Sequence, residues 1–375
     1  MKKKRILAVF GTRPEAVKMC PLVKELKTRE GLETAVCVTG QHREMLDGVL
    51  RTFGVVPDFD LDIMKERQTL FDITSGVIDG IRPVFEEVRP DILLVQGDTS
   101  TAFAAALAAF YTRIPVGHVE AGLRTYDASA PYPEEFNRRS VDVMSSICFA
   151  PTRRAAENLL AEGKEKSAVF VTGNTVADAT RLTLREDYSH PLLDWARDKK
   201  LIFVTAHRRE NLGEPMRGMF RAIRRVLEEH PDCRAVFPVH MNPAVREAAE
   251  AAFAGCEGIR LTGPLEVADC HNIEARSYLC LTDSGGVGEE CVSFGVPVLV
   301  MREKTDRPEG VDAGVMKVAG TGETGIYENL RLLIGDREEY ERMSRACSPF
   351  GDGHASGRIA DVLETGGCEE WRAEE

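Results

Sequence analysis

The amino-acid sequence predicts an α/β protein made of two Rossmann-like, doubly wound parallel-sheet domains. Three observations lead to this prediction. At 375 residues, the chain is longer than a single hydrophobic core normally supports. Short runs rich in Val and Ile alternate with longer stretches of helical spacing, which is typical of a parallel sheet covered on both faces. A polar segment at about 185–200 interrupts this alternation, which then begins again.

The apolar runs are the predicted strands, and they fall into two groups. The first group comprises 5–10, 34–39, 91–96, 114–119, 146–150 and 168–172. The second group comprises 201–206, 234–239, 258–262, 277–282 and 296–301. This grouping predicts one domain over 1–185 and a second over 186–351.

Composition excludes several classes of protein. The formal net charge is −12, which argues against a nucleic-acid or membrane-surface binder. No apolar run approaches the roughly 20 residues that cross a bilayer. The basic start has an apolar run over 6–10 only, so we interpret it as a first strand rather than a secretory signal.

The ten cysteines form no C-x-x-C pair, so we predict reduced thiols in a cytoplasmic enzyme and no metal site.

Polar residues are concentrated where the predicted strands end. Ligands of open parallel sheets bind beyond the carboxyl ends of the strands. The segments at these ends are GTRPE (11–15), TGQHRE (39–44), QGDTST (96–101), HVEAG (118–122), TGNT (172–175), TAHRRE (205–210), PVHMNP (238–243), TGP (262–264) and TDSGG (282–286). Because nearly all of them combine glycine with polar side chains, we predict one ligand cleft lined from both domains.

Two of these segments suit an anionic ligand. In GTRPE, Arg13 and Lys18 would lie near a helix N-terminus, where anions bind, although a plain exposed turn is the alternative. In TDSGG, the small residues at 284–286 let backbone N–H groups approach a diphosphate, although a capped glycine turn is the alternative. Neither segment is G-x-G-x-x-G, which disfavours a nicotinamide or flavin dinucleotide.

Two further residues extend the second segment. Glu290 lies about one helical turn after Gly286, where its carboxylate could accept hydrogen bonds from a ribose. Arg307 lies in a basic loop after the next predicted strand, where a solvated loop is the alternative.

Candidate acid/base groups follow neighbouring strands. Asp98 and Glu134 could also serve a helix N-terminus, as a cap or through the dipole. Glu120 and His207 stand at strand ends, whereas His118 lies within a strand and is as readily a satisfied core histidine. Several carboxylates close together can separate their pKa values and so allow acid/base chemistry.

Together these motifs resemble the non-hydrolysing UDP-N-acetylglucosamine 2-epimerases of bacteria. The resemblance runs from GTRPEAVKM through TGQHREMLD, QGDTSTAFAA, GHVEAGLRT, PEEFNRR, FVTGNTVAD, VTAHRREN, PVHMNP, TDSGG and RPEGVDAG to SPFGDGHAS (348–356). It implies a GT-B-like arrangement of the two domains about a central cleft. It also implies that the second domain binds UDP and that a C-terminal helix, at about 352–368, packs back on the first.

The resemblance implies reversible C2 epimerisation of UDP-N-acetylglucosamine to UDP-N-acetylmannosamine, for cell-surface polysaccharide synthesis. The route would be UDP elimination to 2-acetamidoglucal followed by re-addition, in a homodimer without a cofactor. The implied catalytic set is Asp98, Glu120, Glu134 and His207. The implied UDP-sugar contacts are Arg13, Lys18, Ser284, Gly285, Gly286, Glu290 and Arg307. Positions matching a second, activating substrate site are Gln41, His42, Arg67, Gln68 and His240.

Several positions depart from the family pattern, and a few others have roles that the sequence does not decide. The departures lie at Cys270, Gly288, Cys291-Val292 and 126–130, and they bear on nucleotide packing and sugar preference. Glu135 could start its helix or contact the activating site, whereas Arg138 and Arg139 look structural. Three other functions compete: a GT-B-type UDP-sugar glycosyltransferase, a hydrolysing epimerase that releases N-acetylmannosamine, and a non-enzymatic UDP-sugar binding module.

Overall fold

The computed structural model describes residues 3–41, 43–65, 67–129 and 131–373, which form two compact units. The first unit contains the chain up to Leu182 together with Phe350–Arg372. The second unit contains Thr183–Pro349. The division after Leu182 lies close to the boundary that we predicted at 185.

The first unit is built on a parallel sheet. In the described residues it has seven strands in the order β3-β2-β1-β4-β5-β6-β7. The strands are β1 (Lys4–Phe10), β2 (Leu32–Val38), β3 (Phe59–Asp60), β4 (Ile92–Gln96), β5 (Val116–Val119), β6 (Ile147–Ala150) and β7 (Val169–Val171). The helices are α1 (Arg13–Thr28), α2 (Arg43–Phe53), α3 (Leu70–Val88), α4 (Ser100–Tyr111), α5 (Glu134–Met144), α6 (Arg153–Ala161) and α7 (Thr175–Thr183), with α16 (Ala355–Thr365) from the C-terminal segment.

The second unit repeats the design with six parallel strands among the residues that the structure describes. Their order is β10-β9-β8-β11-β12-β13. The strands are β8 (Lys200–Thr205), β9 (Cys233–Pro238), β10 (Ile259–Thr262), β11 (Leu279–Thr282), β12 (Val298–Val300) and β13 (Met316–Val318). The helices are α8 (Pro191–Trp195), α9 (Glu214–Glu229), α10 (Pro243–Phe253), α11 (Val267–Glu274), α12 (Gly285–Ser293), α13 (Pro308–Asp312), α14 (Glu323–Gly335) and α15 (Arg337–Arg345).

The predicted fold class is confirmed, because both units are doubly wound parallel sheets. Every predicted apolar run overlaps an observed strand. The short strands β3 and β13 were not predicted, because their sequences, Phe-Asp and Met-Lys-Val, contain a charged residue and do not form a continuous apolar run. Strand order reverses between β1 and β4 in the first unit, and between β8 and β11 in the second. Such switch points are where open sheets bind ligands.

The central strands explain why the sheets form. Residues 6–10 of β1 are fully buried, and all five residues of β4 are buried as well. A continuous apolar run of this kind suits a strand covered on both faces rather than on one. The alanine-rich α4 brings little side-chain bulk to its contacts with α3 and α5.

The C-terminal segment is fixed to the first unit by specific polar contacts. The Asp178 carboxylate on α7 accepts the backbone N–H groups of Ala355 and Ser356, at 3.1 and 2.8 Å, and so caps α16. Arg29 on α1 donates to Asp361 at 2.8 Å. These contacts hold α16 against elements that precede it by more than 170 residues.

Within the described residues, no helix combines the length and the apolar character that crossing a membrane requires.

Candidate active site

Glu120 is a firmly held carboxylate at the strand ends of the first unit. It follows β5 directly, is nearly buried, and has a φ of +67°, a conformation that costs about 1–3 kcal/mol for a residue with a side chain. Its carboxylate accepts from Lys18 Nζ, from Gln96 Nε2 at 2.6 Å and from Asn174 Nδ2 at 2.8 Å. Three donors therefore fix the orientation of this side chain.

Asp98 lies beyond the neighbouring strand β4 and is held by α5. Arg138 donates to Asp98 Oδ2 from Nε at 2.9 Å and also from Nη2, and the Asn137 side chain donates to the Asp98 carbonyl at 2.9 Å. Gln96 of β4 pairs in register with Val119 of β5, so Asp98 and Glu120 follow adjacent strands. The structure thus brings two of the predicted carboxylates to one edge of the sheet.

Glu134 is the first residue of α5 and is partly buried. It precedes Arg138 by one helical turn, so the two side chains occupy the same stripe of the helix. The helix that holds Asp98 in place therefore also carries the third predicted carboxylate.

Glu135 has a structural role that the sequence left open. Its fully buried carboxylate accepts the backbone N–H groups of Thr125 and Tyr126, both at 3.0 Å. It also forms an ion pair with Arg138 at 3.4 Å. Glu135 therefore fixes the loop that follows β5 and the position of the arginine that holds Asp98.

His118 is a satisfied core histidine, which was one of the two interpretations of the sequence. It is fully buried, with Nδ1 2.6 Å from Asp142 Oδ1 and Nε2 2.8 Å from the Gly97 carbonyl. Arg124 lies 2.8 Å from the other oxygen of Asp142. Burial alone would raise the pKa of Asp142, but His118 and Arg124 outweigh it, and this pKa lies below its ordinary value. His118 thus supports the turn that carries Asp98.

The N-terminus of α1, which carries the predicted anion contacts Arg13 and Lys18, is capped from within the chain. Buried Glu15 accepts the backbone N–H groups of Gly11 and Thr12, at 3.0 and 2.8 Å, and the Thr99 hydroxyl at 2.7 Å. The helix N-terminus is therefore filled by a carboxylate of the chain itself. Lys18, a predicted UDP contact, bonds to Glu120, whereas Arg13 is the partly exposed first residue of α1.

The residues matched to an activating site are divided between the units. Gln68 donates to the Gln41 carbonyl at 3.1 Å, and Thr101 donates to the Gln41 side chain at 2.8 Å. Arg67 is exposed beside Gln68. His42 lies outside the described residues. His240 belongs to the second unit, where its ring stacks on His207 with centroids 5.5 Å apart.

In the second unit, His207 is oriented by Asp283 at the switch point between β8 and β11. His207 Nδ1 lies 3.2 Å from Asp283 Oδ1. Asp283 also accepts the backbone N–H groups of His207 and Arg208, at 3.0 and 2.9 Å. Burial would raise the pKa of Asp283, but the bonds from His207 and the backbone lower it. An ionised Asp283 on Nδ1 leaves Nε2 of His207 as the atom that can meet a ligand.

The glycine turn after β11 has the features of an anion site. Ser284 caps α12, and a Cβ placed on Gly286 would meet no atom within 4 Å, so the turn is open on that side. A Cβ on Gly285 would lie 3.6 Å from the Arg307 guanidinium carbon. Arg307 is itself held by Glu289 and Asp306. A helix N-terminus with an adjacent fixed cation favours a phosphate group. Glu290, with its side chain 15% exposed, lies further along α12.

Sequence reasoning missed the residues that orient the predicted groups. Three of them stand in strand-end segments that the sequence analysis had marked and two lie on α5, but none carries a sign of what it contacts. They are Gln96, Asn174, Arg138, Asp142 and Asp283.

A carboxylate cluster and an anion-binding turn, each at the strand ends of a Rossmann-like unit, indicate an enzyme that acts on a phosphorylated ligand. Residues 24–364 match the family model described as UDP-N-acetylglucosamine 2-epimerase. The chain is 54% identical over 363 residues to the UDP-N-acetylglucosamine 2-epimerase of Bacillus subtilis (strain 168), covering 97% of this chain and 96% of that protein. The chain therefore belongs to the UDP-N-acetylglucosamine 2-epimerase family and is an isomerase.

Solved structures agree with this assignment. S. aureus MnaA, in a co-structure with UDP, is 50% identical with a TM-score of 0.92 and 96% of each chain covered. The UDP-GlcNAc 2-epimerase from Neisseria meningitidis, bound to UDP-GlcNAc, is 43% identical with a TM-score of 0.91, covering 96% of this chain and 99% of that one. The resemblance to the non-hydrolysing bacterial epimerases is confirmed.

Proposed function

We propose that the protein interconverts UDP-N-acetylglucosamine and UDP-N-acetylmannosamine by inverting C2 of the sugar. The observation that carries the proposal is the placement of Asp98 and Glu120 beyond adjacent strands, each held by fixed donors. Inversion needs a proton to leave one face of C2 and another to arrive on the opposite face, which requires more than one acid/base group. The ligands of the S. aureus and N. meningitidis relatives support a UDP-sugar as the substrate.

The proposed reaction begins with elimination. A base takes the C2 proton, the C2–H electron pair becomes the C1=C2 double bond, and the C1–O pair leaves with UDP. The products of this half-reaction are 2-acetamidoglucal and UDP. The second half adds UDP back to C1 while a proton arrives at C2 from the opposite face. Asp98, Glu120 and Glu134 are the proposed proton-transfer groups.

The departing diphosphate needs stabilisation, because the C2 proton is removed only as charge builds on that leaving group. Preorganised cations and N–H donors supply this stabilisation without reorganising during the reaction. We assign it to the Ser284–Gly286 turn, to Arg307 and to Nε2 of His207, whose other ring nitrogen faces Asp283. Glu290 is assigned to the ribose, and Arg13 to the diphosphate.

Nuclear magnetic resonance of a reaction in D2O tests the proposal. UDP-N-acetylglucosamine should give UDP-N-acetylmannosamine that carries deuterium at C2. Free N-acetylmannosamine with UDP would instead indicate a hydrolysing epimerase. Sugar loss that depends on an added acceptor would indicate a glycosyltransferase, and an unchanged spectrum with retained UDP binding would indicate a binding module.

We also propose that the enzyme is a homodimer. Large apolar side chains are exposed on three neighbouring helices, α3, α4 and α5, and Phe71 and Val143 are the most exposed of them, at 86% and 81%. A second copy covering this surface would remove that apolar area from water. Light scattering should give twice the chain mass for the wild type. A Phe71→Glu/Val143→Glu variant should give the mass of one chain, whereas two monomeric species would contradict the proposal.

Two finer assignments rest on the family resemblance. We propose that the substrate activates the enzyme through Gln41, Arg67 and Gln68, so the initial rate should depend sigmoidally on substrate concentration and become hyperbolic in Gln68→Ala. Exclusively hyperbolic kinetics in the wild type would contradict the activation.

We place the reaction in the cytoplasm, because the many buried cysteines favour a reducing compartment. We assign the product of the reaction to cell-surface polysaccharide synthesis.

A further inference from the structure

Three side chains with metal-ligating atoms meet between α11 and α12 of the second unit. They are His271, Glu274 and Glu290, and one donor atom from each lies within 4.8 Å of the other two. His271 and Glu274 are three residues apart on α11, so they share one face of that helix, and Glu290 comes from α12. Two helices therefore present one imidazole and two carboxylates to a common point.

The distance between His271 and Glu290 suits a shared cation better than a direct hydrogen bond. His271 Nε2 lies 3.8 Å from Glu290 Oε1. That separation exceeds the normal range of an N–H···O hydrogen bond. Zinc bonds of about 2.0–2.2 Å to nitrogen and oxygen place two ligands of one tetrahedral ion roughly 3.3–3.6 Å apart. A small movement of the partly exposed Glu290 side chain would complete such a site.

Thr183 orients the imidazole toward the carboxylates. Its hydroxyl lies 2.6 Å from His271 Nδ1, on the side of the ring away from Glu290. Metal-bound histidines commonly have the other ring nitrogen engaged in this way, because that contact fixes the ring orientation. The neighbouring Cys270 thiol contacts Glu274 Oε1 at 3.1 Å.

Burial makes two neighbouring carboxylates costly at this place. His271 and Glu274 are at most 1% exposed, and the Glu290 side chain is 15% exposed. Buried carboxylates repel each other unless a cation or a proton compensates them. Burial, followed by the charges of Glu274 and Glu290, raises the pKa of the nearby Cys280 thiol. A divalent ion bound between the two carboxylates would offset their mutual repulsion. The exposed part of the Glu290 side chain would allow the ion to enter from solvent.

We propose that His271, Glu274 and Glu290 bind one divalent transition-metal ion, and that zinc matches this donor set. One nitrogen and two oxygen ligands from the protein leave a coordination position open, as in exchangeable rather than closed structural zinc sites. Because Glu290 is also the proposed ribose acceptor, the ion would oppose nucleotide binding. This second part rests on the proposed function, whereas the metal site does not.

Zinc binding to tag-free, chelator-treated protein tests the site in the absence of nucleotide. Calorimetry with zinc chloride, together with elemental analysis, should give one zinc per chain. His271→Gln and Glu274→Gln should each weaken zinc binding at least tenfold, whereas Glu266→Gln, at the exposed N-cap of α11, should bind like the wild type. No bound zinc in the wild type, or undiminished binding in both variants, would overturn the proposal.

Spectroscopy of the wild type avoids any dependence on variants that fold poorly. X-ray absorption of the zinc-loaded protein should show a shell of nitrogen and oxygen ligands with one imidazole. A shell of sulfur ligands alone would overturn the assignment.

UDP should bind at least tenfold more weakly when zinc is saturating. Equal UDP affinity with and without zinc would remove Glu290 from the ligand set and so overturn the three-residue site. If zinc binds but no epimerisation occurs in D2O, only the proposed function fails.

Discussion

The side-chain amide of Asn174 donates a 2.8 Å hydrogen bond to the Glu120 carboxylate, and its backbone N–H donates to the Phe350 carbonyl at 2.6 Å. One buried residue thus connects a proposed catalytic carboxylate with the segment that returns from the end of the chain.

Replacing Asn174 should therefore disturb catalysis without removing any reacting group. In Asn174→Asp a second carboxylate replaces the donor, so Glu120 is repelled from its position. We expect kcat to fall by about 10²-fold, in line with the effect of a small misplacement of reacting groups. Steady-state kinetics over a range of pH is the measurement, since the new charge should also shift the pH profile.

Asn329→Asp is the matched control, because its side chain bonds only within α14 among the described residues. A normal kcat and an unshifted pH profile in Asn174→Asp would show that Asn174 does not position Glu120.

Glu134→Gln should keep UDP binding and lose most turnover. The amide is nearly the same size as the carboxylate but cannot accept a proton, and general acid/base groups typically contribute 10²–10⁴-fold. Calorimetry with UDP and turnover of UDP-N-acetylglucosamine separate the two effects. Near-normal turnover would remove Glu134 from the catalytic set.

Glu135→Gln should lower stability instead, because its carboxylate accepts two loop N–H groups that one amide oxygen cannot satisfy equally. Leaving a buried donor unpaired costs about 1–3 kcal/mol. Urea unfolding should report this loss in the free energy of unfolding. If Glu135→Gln unfolds like the wild type, the loop is held by other contacts.

Asp283→Asn should impair the diphosphate side of the reaction through His207. The asparagine has no negative charge, so it cannot serve as the counter-ion of a protonated His207 ring, the form that carries positive charge toward the diphosphate. We expect kcat to fall by roughly 10²-fold or more, with a smaller change in the affinity for UDP. Asp336→Asn, at the N-cap of α15, is the control. An equal loss in kcat and in UDP affinity would indicate that Asp283 is merely structural.

The Asp142 carboxylate should contribute to stability in a pH-dependent way. Its pKa is lowered in the folded protein, so its contribution is present above the ordinary value of 3.8 and is lost as pH falls through the lower folded value. Asp142→Asn should cost about 1–3 kcal/mol near neutral pH, because it removes an ionised acceptor from buried Arg124, which keeps only its ion pair with Glu162 among the described residues. Denaturant unfolding at several pH values should show this difference shrinking in acid. Exposed Asp79→Asn should show no such trend.

Much of the fold followed from the sequence because strands buried on both faces leave continuous apolar runs. β4 and β5 were recognised in this way, and their ends located Asp98 and Glu120. The contacts of Lys18 and Asn174 with Glu120 could not be predicted, because they join residues 102 and 54 positions apart. Such contacts depend on helix orientation, which periodicity does not specify.

One feature of the site could have been predicted from the sequence, and another could not. Thr12 and Glu15 have the spacing of a capping box, which predicts that the chain fills the N-terminus of α1 itself. The cluster of His271, Glu274 and Glu290 left no standard spacing, since its third member comes from another helix.

The return of the C-terminal segment has a consequence for synthesis. The first unit cannot be completed when its N-terminal portion leaves the ribosome, because Phe350 and α16 are translated after the whole second unit. During that interval Asn174 lacks its Phe350 partner, and α16 is not there to be capped by Asp178. The carboxylate site therefore matures only when translation is nearly finished, so a prematurely terminated chain would carry all the proposed acid/base residues without the contacts that set them in place.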